Sequence, residues 1–206
     1  MVRRRRGADA EVEDDQPPAK RPRNRASPYA LVKLYPDLVP SQKAAFVLLA
    51  LDRMLDIKCD SLHTPVINWL GPLYDKHTRE FMIPGRGRIP LNELAVFRTL
   101  GLPLGTVPVP YYIDKDLQAT LGPHLFPRDG ITPAATRVYE ILKDMKKDSV
   151  EFRQICVMYM VSTVLNPTTS NLISNRCYPI VVSFASFSLF LNSDPVWLVT
   201  FMIVCA

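Results

Sequence analysis

Four cysteines, three histidines and a few clusters of arginine and lysine are the residues of this chain whose chemistry could go beyond folding. Cys59, His63 and His77 could offer three soft ligands to a metal, but a structural zinc site takes four at recognisable spacings and no second close pair supplies the fourth. These histidines, with His124, read as capping or core-edge residues, and no metal is expected. Cys156 lies between Ile155 and Val157, where burial raises a thiol's pKa and hinders access, so it is not expected to be a nucleophile. Cys59, Cys156, Cys177 and Cys205 share no close spacing, which fits reduced thiols in an intracellular protein better than a disulfide framework. Pro84-Gly85-Arg86-Gly87-Arg88 lacks the Gly-Lys-Ser/Thr ending of a phosphate loop and precedes a strand, not a helix. It reads as a basic hairpin tip from which Arg86 and Arg88 could contact phosphate or an acidic partner; the plainer reading is a solvated turn. No catalytic residue and no cofactor are expected.

A second basic feature is the N-terminus. Arg3, Arg4, Arg5 and Arg6 are separated by thirteen residues from Lys20, Arg21, Arg23 and Arg25, and flexible basic clusters at such a spacing dock into acidic grooves of a nuclear import receptor. A nucleus-directed protein with an import receptor as partner is therefore expected, the alternative being a solvated tail. Glu11, Glu13, Asp14 and Asp15 lie between the clusters and weaken direct DNA binding. Residues 1–28, rich in charge and proline and poor in apolar side chains, are expected to be disordered. An acidic cluster instead of an apolar segment follows the first arginines, so no secretory leader is expected. Of the net charge of +5, residues 1–25 hold eight Lys/Arg against five Asp/Glu, leaving seventeen against fifteen for the remainder. A nearly neutral body argues against a broad phosphate-binding face there.

The elements that position these groups are best marked between Thr78 and Gly105. Phe81 and Ile83, then Ile89 and Leu91, alternate with polar positions around the glycines of Pro84–Gly87, which predicts a short hairpin. Asn92 is placed to cap a helix, Glu93 favours the positive end of its dipole, and Leu94, Phe97 and Leu100 recur at helical spacing until Gly101 and Pro103 stop it.

Trp69, Thr78-x-x-Phe81-x-Ile83-Pro84-Gly85-x-x-x-Ile89, Val96 and Leu100-Gly101-Leu102-Pro103 together resemble the plant mobile domain, a family also labelled aminotransferase-like. The resemblance covers roughly Leu38 to Pro179 and includes the Asn166–Pro179 run after an apolar helix. It implies descent from a plant transposable element and, for some host genes of that family, a role in transcriptional silencing. Members continue well beyond the point matching Tyr178, so the resemblance implies that only the first part of the domain is present. No glycine-framed lysine supports pyridoxal phosphate, despite the label.

Elsewhere, Ser41 to Leu55 reads as a buried helix capped by Ser41, and Thr64-Pro65 starts another whose apolar face is Val66, Trp69, Leu70 and Leu73, bent or ended by Gly71-Pro72. Pro103 to Pro127, with its prolines and glycines, reads as an irregular arm with a short extended piece at Val107 to Ile113. An amphipathic helix is predicted over Thr132 to Lys147, the central helix over Glu151 to Leu165, stopped by Asn166-Pro167, and a short helix at Thr169 to Ser174.

From Ile180 to Ala206 Asp194 is the only charge, and Phe, Ser, Leu, Val and Ile, whose codons are U-rich, dominate. This apolar tail reads as translated intron or a misjoined gene model. An ordinary buried hairpin and a membrane anchor are the competing readings, but Asn192-Ser193-Asp194-Pro195 interrupts a membrane span, and a central charge costs about 2.5–3.5 kcal/mol on insertion scales.

The expected architecture is thus mainly α with one small β-hairpin: a disordered basic tail (1–28), a partial helical domain (29–179) and an apolar tail (180–206). The expected function is that of a non-catalytic nuclear protein acting through protein or nucleic-acid contacts. Alternatives are a decayed fragment without independent function and a protein tethered to membrane by its C-terminal tail.

Overall fold

Apolar residues at helical spacing, stopped by proline, glycine or asparagine, divide the described part of the chain into eight helices and one small antiparallel sheet. The computed structural model describes residues 27–59, 63–102, 109–168 and 170–182. Helix α1 (Pro28–Leu34) and α2 (Pro40–Leu48) are followed by a tight turn at Asp52–Asp56 and by α3 (Thr64–Leu70). Strands β1 (Tyr74–Asp75), β2 (Glu80–Ile83) and β3 (Gly87–Pro90) pair in that order, and α4 (Glu93–Leu100) follows. Then come α5 (Lys115–Leu125), α6 (Ala135–Asp144), α7 (Val150–Met160) and α8 (Tyr178–Val182). The protein is mainly α, as its periodicity predicts.

The main core is built around α7, the predicted central helix. Ser149 caps it by accepting from Phe152 N (3.1 Å), and every residue from Ile155 to Val164 is buried. Its last turn, Val161–Leu165, is wide, with Asn166 N donating back five residues to Val161 O (2.6 Å). Leu31 and Leu34 of α1, Val138 and Leu142 of α6, and Tyr178, Ile180 and Val181 of α8 belong to this core. The chain thus supplies packing partners for its most apolar helix. Among the described residues, no helix is long and apolar enough to cross a membrane.

A second, smaller core of Leu70, Phe81 and Leu91 lies under the sheet. The predicted hairpin forms, with Phe81 opposite Ile89 and Ile83 opposite Gly87 and φ of 69° at Gly85 and 103° at Gly87. Asn92 caps α4 by accepting from Ala95 N (2.9 Å), and Gly101 closes it at φ 66°. Asn92→Ala is expected to cost about 1 kcal/mol, read as a lower urea midpoint, with Asn92→Asp near the wild type.

Several expectations need correction. Ile89 is exposed because β3 is an edge strand, and Leu94, Phe97 and Trp69 are exposed while Val96, Leu100 and Ile67 turn inward. The helix expected to run to Leu55 breaks at Ala50, which takes φ 53°; Leu51 N reaches back to Phe46 O (2.8 Å), and Val47 and Leu48 face solvent. Its start is secured not by Ser41 but by Gln42, whose Oε1 accepts from Val39 N (3.0 Å). The proline-rich arm contains α5, capped by Asp114, which accepts from Asp116 N (3.1 Å) and Leu117 N (2.9 Å); residues 103–108 of that arm lie outside the described residues. In place of a helix at Thr169 to Ser174, Asn171 O accepts from Ala135 N (2.9 Å) and Ile173 N donates to Pro133 O (2.9 Å). Thr169 itself lies outside the described residues. The core also continues past the boundary drawn at 179, since Ile180 and Val181 are buried, while residues 183–206 and the tail 1–26 lie outside the described residues.

Candidate functional site

The hairpin tip is held from both ends. Arg79 takes φ 56°, its carbonyl accepts from Leu91 N (2.8 Å), and its guanidinium lies 3.7 Å from Glu93, which ties the sheet to α4. Asp75 Oδ1 accepts from His77 N (2.8 Å) and Thr78 N (3.4 Å), closing the other turn; these bonds hold its carboxyl below the usual carboxylate range. At the tip, Arg88 Nη1 lies 3.4 Å from Glu80 Oε2 across the hairpin, so its charge is shared. Arg86 is exposed, its backbone N–H donating to Ile83 O (3.1 Å), and its guanidinium has no acidic partner among the described residues. The structure therefore separates the two arginines predicted as an interaction surface into one paired and one free.

Strand β3 is a poor template for a further strand. The Leu91 N to Arg79 O bond fixes the alternation so that Gly87 and Ile89 face β2, leaving Arg88 and Pro90 on the free edge. Pro90 has no N–H to offer. What this edge presents to solvent is chiefly side chains.

The thiols are placed for packing. Burial pushes Cys156 up to about 12, and Cys177 likewise to about 12 although Ser162 and Ser174 oppose the shift. Cys177 Sγ sits 3.6 Å from Ser162 Oγ, which also accepts from Ser174 N (3.0 Å), while Ser174 Oγ bonds the Tyr111 hydroxyl (2.9 Å). This hydroxyl network holds the Asn166–Tyr178 run against the last turn of α7, and Gln118 Nε2, donating to Asn175 O (3.3 Å), ties it to α5. It was not foreseen from sequence, where Ser and Gln carry no sign of burial. Thiols held this far above their ordinary value carry very little thiolate near neutral pH. Iodoacetamide at mildly alkaline pH is expected to modify half-buried Cys59 long before Cys156 or Cys177, as mapped by peptide mass spectrometry.

His63 and His77 are exposed, and His124 Nε2 lies 3.6 Å from Glu151. Among the described residues, no three His, Cys, Asp or Glu side chains converge as a metal site would need. One cavity of about 280 Å³ is lined by Ser27, Ser162, Thr163, Thr168 and Asn171, without a charge. Another, of about 530 Å³, lies between the Asp52–Asp56 turn and the end of α4, and Arg53 on that turn lies 3.6 Å from Asp56. Neither joins a nucleophile to a base. The eight basic residues of the nuclear-localisation pattern, Arg3, Arg4, Arg5, Arg6, Lys20, Arg21, Arg23 and Arg25, lie outside the described residues.

A family model described as Domain of unknown function (DUF8566) matches residues 24–190. No curated protein and no solved structure matches the chain. The matched range begins within the basic tail and runs past Val182 into the apolar C-terminal segment.

Proposed function

The chain belongs to the family described as Domain of unknown function (DUF8566), and on that premise we propose that it is a non-catalytic nuclear protein that works by contacts with protein or nucleic acid. The observation that carries this reading is the pair of basic clusters, Arg3–Arg6 and Lys20–Arg25, set immediately before the folded body. The chemistry of the body is in keeping with it: the buried thiols of Cys156 and Cys177 are held protonated, and Arg86, without an acidic partner among the described residues, stands on a braced turn facing solvent. Descent from a plant transposable element, with a role in silencing, belongs to the same proposal and rests on the resemblance to the plant mobile domain.

Binding of the purified full chain to a nuclear import receptor tests this reading. Changing the eight basic residues of the two clusters to glutamine is expected to weaken that binding at least about tenfold, since several charge-assisted contacts are lost together. Equal binding by the two proteins would remove the basis for nuclear entry.

A further inference from the structure

The near-neutral charge count of the body conceals an uneven distribution. Arginines hold three acids beside α6 and α7: Arg137 lies 3.1 Å from Asp129 and 3.2 Å from Glu140, and Arg153 pairs with Asp148. The lysines are left together. Lys33 Nζ stands 4.3 Å from the centre of the Tyr139 ring, and Lys143 Nζ is 3.6 Å from Asp37 Oδ2, which also accepts from the Tyr139 hydroxyl at 2.9 Å. Lys146 acts on the same carboxylate, which these partners hold below its usual range. Gln42 Nε2 donates to Met145 O (2.8 Å) and Lys147 O (3.5 Å), bringing its neighbour Lys43 to the end of α6. Lys33, Lys143 and Lys146, all exposed, thus gather about Tyr139 and Asp37, and exposed Lys43 and Lys147 lie on the adjoining segments that Gln42 ties together, with Asp144 beside Lys143 in sequence. Tyr29, half exposed, stands one turn before Lys33, and Tyr139 one turn before Lys143.

We propose that this lysine face binds the sugar–phosphate backbone of a nucleic acid. Clustered ammonium groups supply the sequence-independent attraction, and the exposed Tyr29 ring offers a flat surface to a sugar or base that an acidic protein or lipid headgroup would not use. The face is separate from the Arg86 tip, and α1, which carries Tyr29 and Lys33, follows directly on the basic N-terminal segment. The inference deepens the reading of the protein as a nuclear binding module by naming one partner class, yet it can fail independently of nuclear import.

Anisotropy of a short fluorescein-labelled DNA duplex, titrated with the full chain over a range of salt, tests it. Lys33, Lys143, Lys146 and Lys147 replaced together by glutamine should flatten the plot of log affinity against log salt by about 3 units and weaken low-salt binding at least about tenfold. The same four positions changed to arginine should keep the wild-type slope, which separates lost charge from lost folding. An unchanged slope in the glutamine variant would overturn the proposal, leaving any binding to the tail. Failure of the wild type to bind DNA while it binds phosphatidylserine vesicles or polyglutamate would overturn it in favour of those partners. Import-receptor binding should be untouched by the lysine variant.

Discussion

Replacing Tyr178 by alanine is expected to lower the unfolding free energy by about 3–5 kcal/mol, among the largest effects of any single substitution in this chain. The side chain is fully buried in the main core, and its hydroxyl donates to Ile131 O at 2.9 Å. The backbone packs closely around its hydroxyl end: a Cβ built on Gly122 would lie 2.6 Å from Ile131 and 3.4 Å from the Tyr178 hydroxyl. The Tyr178→Phe variant keeps the ring and should lose only about 1 kcal/mol for the hydrogen bond. Urea denaturation of the full chain, followed by circular dichroism, measures both. An alanine variant with the wild-type midpoint would mean that α8 does not belong to the fold.

Phe81→Ala should be nearly as costly locally and much less so globally. Among the described residues the small core holds three buried side chains, Leu70, Phe81 and Leu91, and the Phe81 ring lies 5.3 Å from that of Tyr74. Truncating it removes about 3–5 kcal/mol from a cluster with few other contacts to fall back on. The sheet should therefore open while the core around α7 stays closed. In hydrogen exchange, the Leu91 amide, which bonds Arg79 O, should lose protection, and the amides of Val157 to Met160 should keep theirs. Equal loss at both sites would show one cooperative unit instead of two.

What the sequence reveals depends on how local the determinant is. The hairpin and α4 are legible because glycines at positive φ, the Asn92 cap and the Gly101 stop act within a few residues of one another. The break after α2 is not: nothing in Leu48-Leu49-Ala50-Leu51 forbids a helix, and Ala50 accepts a left-handed conformation because Leu51 must reach the main core, where it is buried. Helix α5 is hidden by proline on both sides and by an inner face that uses Gln118 and Gly122 besides Leu125. Its Asp114 cap was the available signal. The Arg86 tip was legible for the same local reasons as the hairpin, whereas the loss of Arg88 to Glu80 needed the strand register.

The lysine face could not be reached from composition at all. Seventeen basic against fifteen acidic residues outside the first twenty-five describe a neutral body only if the charges mix evenly. Folding partitions them, because the arginines of α6 and α7 take the nearby carboxylates while the lysines of α1, α2 and α6 converge from distant parts of the chain.

The central claim, that this is a nuclear binding protein directed by its basic tail, is tested most directly by imaging. A fluorescent fusion of the full chain would be viewed in plant cells beside one in which Arg3–Arg6, Lys20, Arg21, Arg23 and Arg25 are changed to glutamine. Nuclear signal that is lost in the second protein is the predicted result; the same distribution in both, whether nuclear or along reticular membranes, would contradict it.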